Sequence, residues 1–404
     1  MTASTSTTDM NVLFMGNFLY PQGMAATKLI QHDIDGLRAC GVENVAVLLL
    51  RQAHQGRQHD ALTGVHEGVP YHTVGVDLAA DLNLPVKWFR YVVEGILYIR
   101  QRRREQGRPV LYVYGALSLE NLPFVISARL IGYEVYFNIT EDVALSAGPA
   151  PHAMSRIKAY SCRLLARYTA SFAAGIFVIS GHLKRKYEKL AAARFPIYLK
   201  PVSIYTRHFP AKPKKYDGET SFLYAGSFGA KDAVELLISA FAEVSARRRN
   251  VVLKLAGTGV ETRMRSIQAC IDASPAKDRI ILLGYVPDTD YYKLIACSHV
   301  LCAIRSDSDF ANAGFPFKLG EFLGTGNPVI TARVSDVEKY LRDRENALLV
   351  RPGSLEDVAQ AMTWLLDRPG EARRIGQAGR RLAIEQFDHI AQGRQLYEAF
   401  CTAS

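Results

Sequence analysis

Two charged residues three positions apart, Lys318 and Glu321, have the types and the spacing that nucleotide binding requires. The pattern predicts a short helix that places both side chains on one face. Lys318 can bind a phosphate as a point charge, and Glu321 can accept hydrogen bonds from both hydroxyls of a ribose. An ordinary ion pair on the surface of an amphipathic helix is the alternative interpretation.

The residues just before this predicted helix could supply backbone N–H groups to a phosphate or to sugar hydroxyls. These residues are Gly314, Phe315, Pro316 and Phe317. An apolar run over residues 299–304 precedes the loop, and a Gly-Asn-Pro break separates the helix from a second apolar run that starts at Val329. Buried parallel strands have such continuous apolar runs. The order strand, loop, helix, strand is that of a nucleotide site at the carboxyl ends of a parallel sheet.

Two carboxylates, Glu141 and Asp142, follow another predicted strand, at residues 134–139. Side chains at the carboxyl end of a parallel strand point toward the crevice where such folds bind ligands. We therefore name both as candidate catalytic residues. The alternative is that Asp142 or the preceding Thr140 only caps the segment that follows.

The composition indicates a globular chain that is too long for one ordinary α/β core. Its length of 404 residues suggests two domains. A content of 49% hydrophobic and 22% charged residues is typical of globular proteins. The six cysteines are scattered, and this favours reduced structural thiols in a cytoplasm and no metal site. The net charge of +10 implies an anionic partner: a phosphorylated substrate, an anionic lipid or a nucleic acid. No nucleic-acid-binding module stands out, so we expect no nucleic acid.

Alternating strand and helix patterns run through two stretches of the chain and predict two domains. Residues 10–200 form the first domain and residues 201–385 the second, with a proline-rich, aperiodic boundary between them. A terminal helix follows at 386–404, and we expect the polar residues 1–9 to be disordered. The first loop lacks the G-x-G-x-x-G spacing and Arg51 follows the second strand, which disfavours a dinucleotide-dependent dehydrogenase.

Two basic segments could contact an anionic membrane. One is a predicted helix over residues 86–106, which ends in several arginines and offers Trp88 and Tyr91 as interfacial anchors. The other, residues 151–175, contains four basic residues and no acid. We assign the apolar face of the first helix to the core; it comprises Phe89, Val92, Val93, Ile96 and Leu97. Cations at a helix end also interact favourably with the helix dipole, so a solvated basic face is the alternative.

The segment AGFPFKLGEFLGTGNPVI resembles the sugar-nucleotide signature of glycosyltransferase family 4, whose usual form is E-G-F-G-x-x-x-x-E-A-M-A-x-G-x-P-V-V. Glu321 matches the second glutamate, which in that family binds the ribose. Ala313 stands in place of the first glutamate, which contacts the donor sugar, so the resemblance leaves the sugar unidentified. The resemblance covers most of residues 220–400 and extends only loosely over the amino-terminal half.

Further positions match family motifs that hold the donor. Lys231 matches the lysine that binds the donor diphosphate, whereas Ser227 stands at the arginine position of the same motif. Together with Lys318, Lys231 is a candidate for neutralising the leaving group, and both join the two carboxylates above as catalytic candidates. The other donor-binding candidates that the resemblance implies are Gly23, Met24, Gly257, Gly259 and Val286.

The resemblance implies the GT-B fold, an α/β arrangement of two doubly wound Rossmann-like domains facing across a cleft. It implies a retaining sugar transfer from a nucleotide-sugar. We expect this transfer to be metal-independent, with UDP favoured over GDP and no cofactor. We expect the acceptor to be a glycan or a lipid-linked or cell-surface polysaccharide intermediate, reached by peripheral contact with the inner face of the cell membrane. The alternatives are a non-catalytic sugar-nucleotide-binding subunit and another GT-B enzyme, such as a sugar-nucleotide epimerase.

Overall fold

The structure, a computed structural model, divides into two compact units: Met1–Pro201 with His389–Ser404, and Val202–Asp388. The residues that it describes are 9–23, 25–50, 63–74, 84–142, 153–191, 195–209, 218–229 and 231–402. The predicted domain boundaries, 200/201 and 385/386, stand one and three residues from the limits of these units. Of the tail predicted to be disordered, only Asp9 lies within the described ranges.

The amino-terminal unit is built on one eight-stranded sheet. The strands are β1 (Met10–Gly16), β2 (Asn44–Leu49), β3 (Thr63–His66), β4 (Val69–Thr73), β5 (Arg108–Tyr114), β6 (Glu134–Ile139), β7 (Gly175–Val178) and β8 (Ile197–Leu199). Their order is β3-β4-β2-β1-β5-β6-β7-β8, and only the β3–β4 pair is antiparallel. The central strands are buried along nearly their whole length, as the continuous apolar runs of their sequences predict.

Helices connect these strands. They are α1 (Ala25–Ala39), α2 (Leu84–Arg103), α3 (Leu122–Leu130), α4 (Ala153–Ala166), α5 (Thr169–Phe172) and α6 (Gly181–Ala191). One buried ion pair ties α1 to the end of the sheet: the Lys200 ammonium lies 2.7 Å from the Asp33 carboxylate, and Tyr112 donates a hydrogen bond to the same carboxylate. Burial raises the pKa of Asp33, while the Lys200 charge lowers it.

The carboxyl-terminal unit contains a second sheet, which is parallel throughout. Its strands are β9 (Thr220–Ala225), β10 (Val251–Ala256), β11 (Ile280–Gly284), β12 (Val300–Ala303), β13 (Val329–Ala332) and β14 (Leu348–Val350). Their order is β11-β10-β9-β12-β13-β14. Numbered within the unit this is 3-2-1-4-5-6, the doubly wound order, in which the strand order reverses between β9 and β12. That reversal is the position where open α/β sheets bind ligands.

The helices of this unit are α7 (Val234–Arg247), α8 (Glu261–Asp272), α9 (Asp288–Cys297), α10 (Asp309–Ala313), α11 (Phe317–Gly324), α12 (Val337–Tyr340), α13 (Leu355–Asp367) and α14 (Pro369–Gln386). Short 3-10 turns lie at Thr206–His208 and Lys277–Arg279. The inner faces of the helices and of the sheet together form one apolar core, in which Phe222, Tyr224 and Phe241 are among the largest buried side chains.

The last helix, α15 (His389–Thr402), returns to the amino-terminal unit and crosses α1. Glycines permit this crossing, because a Cβ atom on Gly36 would lie 2.3 Å from the carbonyl oxygen of His389. A Cβ atom on Gly393 would lie 2.1 Å from the carbonyl carbon of Gly36. The two backbones are therefore in direct contact, and Phe400 at the far end of α15 packs on Tyr136 at a ring-centroid distance of 4.7 Å.

The face of α2 that the sequence assigned to the core is not the buried one. The side chains of Phe89, Val93 and Leu97 are exposed, so the prediction is wrong for these three residues, whereas Val92 and Ile96 are half-buried. The buried stripe instead comprises Tyr91, Gly95, Ile99 and Arg102. Gly95 admits the ring of Phe124 from α3, since a Cβ atom there would lie 2.3 Å from that ring.

Two residues of this stripe were predicted to face a membrane. Tyr91, named as an interfacial anchor, donates a hydrogen bond to the carbonyl of Leu50. Arg102, one of the arginines at the helix end, pairs with Glu105 and donates to Asn44. Neither side chain is available to a bilayer. Within the described ranges, no helix has the length and the apolar character that crossing a membrane requires.

Candidate functional site

Two loops meet where the strand order reverses between β9 and β12. Backbone hydrogen bonds join them: Ser306 donates to the carbonyl of Lys231 at 3.0 Å, and Ala233 donates to that of Ile304 at 3.3 Å. Asp232 and Arg305 form an antiparallel bridge between these two contacts. Lys231, Asp232 and Arg305 therefore lie close together at the carboxyl ends of β9 and β12.

Glycines allow the loops after β9 and β10 to lie against each other. Gly257 has a φ of +133°, and a Cβ atom there would lie 1.8 Å from the carbonyl oxygen of Gly226. Gly226 itself has a φ of +154°, and a Cβ atom on it would lie 2.5 Å from the Lys318 ammonium. A side chain at either position would displace the loop or the lysine, so the sequence needs glycine at both.

Lys318 lies at the start of α11, and its ammonium is held by groups from the first loop. It donates hydrogen bonds to the Tyr224 hydroxyl at 2.8 Å and to the Asp232 carboxylate at 3.0 Å. It also lies 4.0 Å from the centre of the Tyr224 ring, within the range of a cation–π contact. The ion-pair partner of this ammonium is Asp232, whereas the alternative interpretation of the sequence expected Glu321.

The charge around Lys318 is positive overall. Burial lowers the pKa of Lys318 to about 8; the Asp232 carboxylate opposes that shift, and the neighbouring cations Arg305 and Lys231 add to it. Lys231, Arg305 and Lys318 carry three positive charges against the single negative charge of Asp232. Such a cluster at the reversal point of a doubly wound sheet can bind a dianionic phosphate group.

Arg305 is the residue of this cluster that the sequence analysis missed. Its side chain is 4% exposed, and burial lowers the pKa of its guanidinium. The signal that could have identified it is an arginine directly after a buried strand, at the carboxyl end where ligands bind.

Glu321 lies one helical turn after Lys318, as predicted, but it has a partner in the protein. The Tyr291 hydroxyl, on α9, donates a hydrogen bond to the Glu321 carboxylate at 2.6 Å. Burial and then the Glu321 charge hold the pKa of Tyr291 well above its usual value, so the phenol stays a donor. The hydrogen bond fixes the orientation of the carboxylate.

The residues before α11 occupy two different environments. The Phe315 ring is buried and packs on Tyr340 and Phe387 at centroid distances of 5.6 and 5.8 Å. Only its backbone could therefore contact a donor, which narrows the prediction made for this residue. Pro316 precedes the helix and has no N–H to offer, so the first helical donors come from Phe317 and Lys318. Gly314 ends α10 and is half-buried.

The remaining donor candidates of this unit lie at the same edge of the sheet. Gly259 follows β10, and a Cβ atom there would lie 3.2 Å from that of Phe228 in the β9 loop. Val286 follows β11 and is half-buried. The structure thus groups them with Gly257, Lys231, Lys318 and Glu321 at the carboxyl ends of consecutive strands.

The other predicted site residues belong to the amino-terminal unit. Asp142 is buried and pairs with Lys186 at 2.6 Å and with His182 at 3.5 Å, both on α6. Glu141 beside it is exposed to solvent. Gly23 lies against α1, where a Cβ atom would meet the Thr27 hydroxyl at 2.1 Å, and Met24 is outside the described residues. The catalytic role predicted for the two carboxylates, and donor binding by Gly23 and Met24, stay predictions.

Among the residues that the structure describes, no group of three or more His, Cys, Asp or Glu side chains is placed to hold a metal ion. The sequence contains three Asp-x-Asp triplets, at residues 33–35, 288–290 and 307–309. In the first, Asp33 is already paired with Lys200. In the second, Asp290 lies 3.6 Å from Lys293 on the same helix.

Residues 219–368 match the family model described as Glycosyl transferases group 1. This range contains the cluster of Lys231, Arg305 and Lys318. Two curated relatives are similar. The chain is 23% identical over 341 residues to the alpha-D-kanosaminyltransferase of Streptomyces kanamyceticus, covering 81% of this chain and 86% of the relative. It is 32% identical over 115 residues to an MMP alpha-(1->4)-mannosyltransferase of Mycolicibacterium hassiacum, covering 28% of this chain and 27% of that relative.

Solved structures resemble the chain over nearly its full length. Anabaena HepE, in complex with UDP and glucose, matches with a TM-score of 0.71 at 14% identity, covering 97% of this chain and 100% of that one. Sucrose-phosphate synthase of Thermosynechococcus elongatus matches with a TM-score of 0.71 at 15% identity, covering 98% and 100%. These similarities confirm the predicted GT-B fold class. The protein is therefore a glycosyltransferase with the GT-B fold, and its residues 219–368 resemble the group 1 glycosyl transferases.

Proposed function

We propose that the protein is a retaining, metal-independent member of glycosyltransferase family 4 that uses a nucleotide-sugar donor, with UDP favoured as the nucleotide. The observation that carries this proposal is the cluster of three cations around Asp232 at the reversal point of the carboxyl-terminal sheet. A nucleoside diphosphate leaving group is negatively charged and would compensate the excess positive charge of this cluster. HepE, whose fold this chain shares, has been solved with UDP and with UDP-glucose, which supports the same donor class here.

In the proposed reaction the bond between the anomeric carbon and the phosphate oxygen breaks, and negative charge develops on the diphosphate. In this proposal Lys231, Lys318 and the first N–H groups of α11 stabilise that charge. The acceptor hydroxyl attacks the same face of the sugar, and its proton passes to the departing phosphate. The products are the glycoside and the free nucleoside diphosphate, so the scheme needs no protein nucleophile.

The nucleoside end of the donor would be held by Glu321. Its carboxylate is fixed by Tyr291 and shares α11 with Lys318, so one short helix would contact both the ribose and the diphosphate. This arrangement positions the sugar relative to its leaving group through a rigid element.

We assign the acceptor to the amino-terminal unit. Glu141 is exposed at the carboxyl end of β6, and the buried Asp142 is neutralised by Lys186. Glu141 can therefore accept a hydrogen bond from an acceptor hydroxyl, while Asp142 positions α6 rather than contacting the substrate. We propose a glycan or lipid-linked molecule as the acceptor, in keeping with the basic character of the chain.

The proposal is tested first by ligand-induced stabilisation in the presence of EDTA. A donor that binds raises the melting temperature according to RT ln(1 + [L]/Kd), so a screen of UDP, GDP, dTDP and their sugars identifies the base. We expect one nucleotide to stabilise the protein without added metal. Stabilisation that appears only with a divalent ion would contradict metal independence.

Retention is tested by the slow hydrolysis of the donor that binds. Proton NMR of the first-formed free sugar distinguishes the anomers before they equilibrate, and the donor's own anomer is expected. Appearance of the opposite anomer would show inversion.

Lys231→Ala and Lys318→Ala should each lower kcat/KM at least about tenfold, because charge-assisted contacts contribute roughly 1.5–3 kcal/mol. Lys277→Ala, an exposed lysine of the same unit, is the matched control and should change little.

A further inference from the structure

A guanidinium group is enclosed in the cluster without the hydrogen bonds that normally accompany burial. Arg305 is 4% exposed, and its Nε and Nη1 atoms have no hydrogen-bond partner among the residues that the structure describes. Buried charged groups are otherwise paired and hydrogen-bonded, because their transfer from water is costly. Unused donors at the edge of a ligand site indicate that the ligand supplies the acceptors.

The neighbouring carboxylate of Asp232 accepts no hydrogen bond from Nε or Nη1 of Arg305. Asp232 interacts electrostatically with Arg305, but its Oδ1 atom already accepts from the Lys318 ammonium. Lys231 adds a further positive charge close by. One carboxylate among three cations leaves two positive charges in this part of the unit, which matches the charge of a bound diphosphate.

The backbone fixes where the guanidinium starts. Arg305 follows β12 and bridges to Asp232 in the loop that follows β9, so it enters the cluster from the strand next to the one that carries Lys231. The loop after β9 has Ser227 at the position where an arginine would complete the motif it resembles, and Ser227 is exposed. The loops after β9 and β12 are hydrogen-bonded to each other. An arginine that follows β12 can therefore take the place of one in the loop that follows β9.

We propose that Arg305 binds the donor diphosphate and takes the place of the arginine that the β9 loop lacks at Ser227. The inference rests on the proposed function. Arginine suits this position better than lysine, because its planar fork can donate two parallel hydrogen bonds to a phosphate. Arg305 is thus a binding residue for the leaving group, with Lys231 and Lys318 as point charges beside it.

The inference is tested by titration calorimetry with Arg305→Met and Arg305→Lys. The probes are UDP (or GDP or dTDP, whichever stabilises the wild type), its nucleoside, and inorganic pyrophosphate. The Met variant should bind the nucleoside diphosphate and pyrophosphate at least about tenfold more weakly, and the Lys variant should fall between it and the wild type. Nucleoside binding, followed by ligand-observed NMR, should be unchanged. Arg351→Gln removes an exposed arginine of the same unit and should bind like the wild type.

The melting temperature of the ligand-free variants separates binding from a structural role. Replacing a buried, unsatisfied charge by an apolar side chain of similar length should leave the Met variant at least as stable as the wild type. A lower melting temperature together with weaker nucleoside binding would make Arg305 structural and overturn the inference. Unchanged diphosphate binding in both variants would also overturn it while leaving the proposed function intact. If no nucleoside diphosphate binds the wild type, the proposed function itself fails.

Discussion

The environment of Lys318 makes donor binding sensitive to pH. Its pKa is about 8 in the ligand-free fold, below the ordinary 10.5, because burial outweighs the attraction of Asp232. A bound diphosphate favours the charged ammonium and raises this pKa, so binding takes up a proton where free Lys318 is partly neutral. Affinity should therefore be highest below pH 8 and fall as the pH rises through it.

This dependence is measurable by calorimetry between about pH 7.5 and 9.5, where the phosphate is already fully ionised. Titrations in buffers of different ionisation enthalpy should show proton uptake that grows across this interval. Lys318→Met should bind more weakly and show no such uptake. The same pH profile in the wild type and in this variant would assign the titration to another group.

Glu321 recognises the ribose if its carboxylate accepts hydrogen bonds from the two ribose hydroxyls. Glu321→Gln should then weaken both the free nucleoside diphosphate and the whole donor, by roughly the 1.5–3 kcal/mol of charge-assisted hydrogen bonds. A 2′,3′-dideoxy nucleotide removes the ligand's half of the contact, so the variant and the wild type should bind that analogue equally. An undiminished difference with the dideoxy analogue would mean that Glu321 serves only to hold Tyr291.

At the scale of elements, the sequence predicted what long apolar runs specify. Strand β6 was predicted at its observed limits, because a buried parallel strand contains a run of apolar residues, here Val135–Phe137. Short strands such as β8 and β14, with three residues each, were missed because such runs carry little pattern. The α2 face was predicted wrongly since its buried stripe includes Gly95 and Arg102, which no hydropathy pattern assigns to a core.

The candidate site shows the same division. Lys231, Lys318 and Glu321 could be named because they stand within a recognisable linear motif. Arg305 could not, because its place depends on the hydrogen-bonded pairing of two loops that are far apart in the sequence. The internal partners of Lys318 and Glu321 likewise come from distant segments, through Tyr224 and Tyr291.

The crossing of α1 and α15 gives a prediction for element packing. Gly393→Ala adds a methyl group that would overlap with the α1 backbone at Gly36. The substitution should destabilise the amino-terminal unit by roughly 1–3 kcal/mol. Gly370→Ala is the matched control, since that helical glycine faces open space and should be neutral or slightly stabilising. Thermal denaturation of both variants tests the contact. An equal effect of the two substitutions would indicate that the helices separate without cost.

At the scale of the whole molecule, a net charge of +10 and exposed apolar side chains suggest contact with an anionic membrane. On α2, Trp88 is 56% and Phe89 64% exposed, and Arg100 beyond them faces solvent. On α4, Tyr160 is 70% exposed and Arg163 faces solvent as well. Aromatic and basic groups together suit the headgroup region, where each cation contributes roughly 1 kcal/mol.

We therefore propose that the amino-terminal unit docks reversibly on anionic lipid to reach a lipid-linked acceptor, and liposome co-sedimentation tests this. Arg156/Arg163/Arg167→Ala should lose most of the binding to vesicles rich in anionic lipid at low salt. Removing three exposed arginines from the carboxyl-terminal unit, in Arg247/Arg249/Arg265→Ala, should cost much less, because attraction that acts over about a 10 Å Debye length depends on where the charges lie. Trp88→Ser should reduce the fraction that stays bound at high salt, where only apolar insertion remains. Equal losses in both triple variants would show that net charge alone attracts the protein, and recovery in the supernatant with every vesicle would leave the basic face without a membrane role.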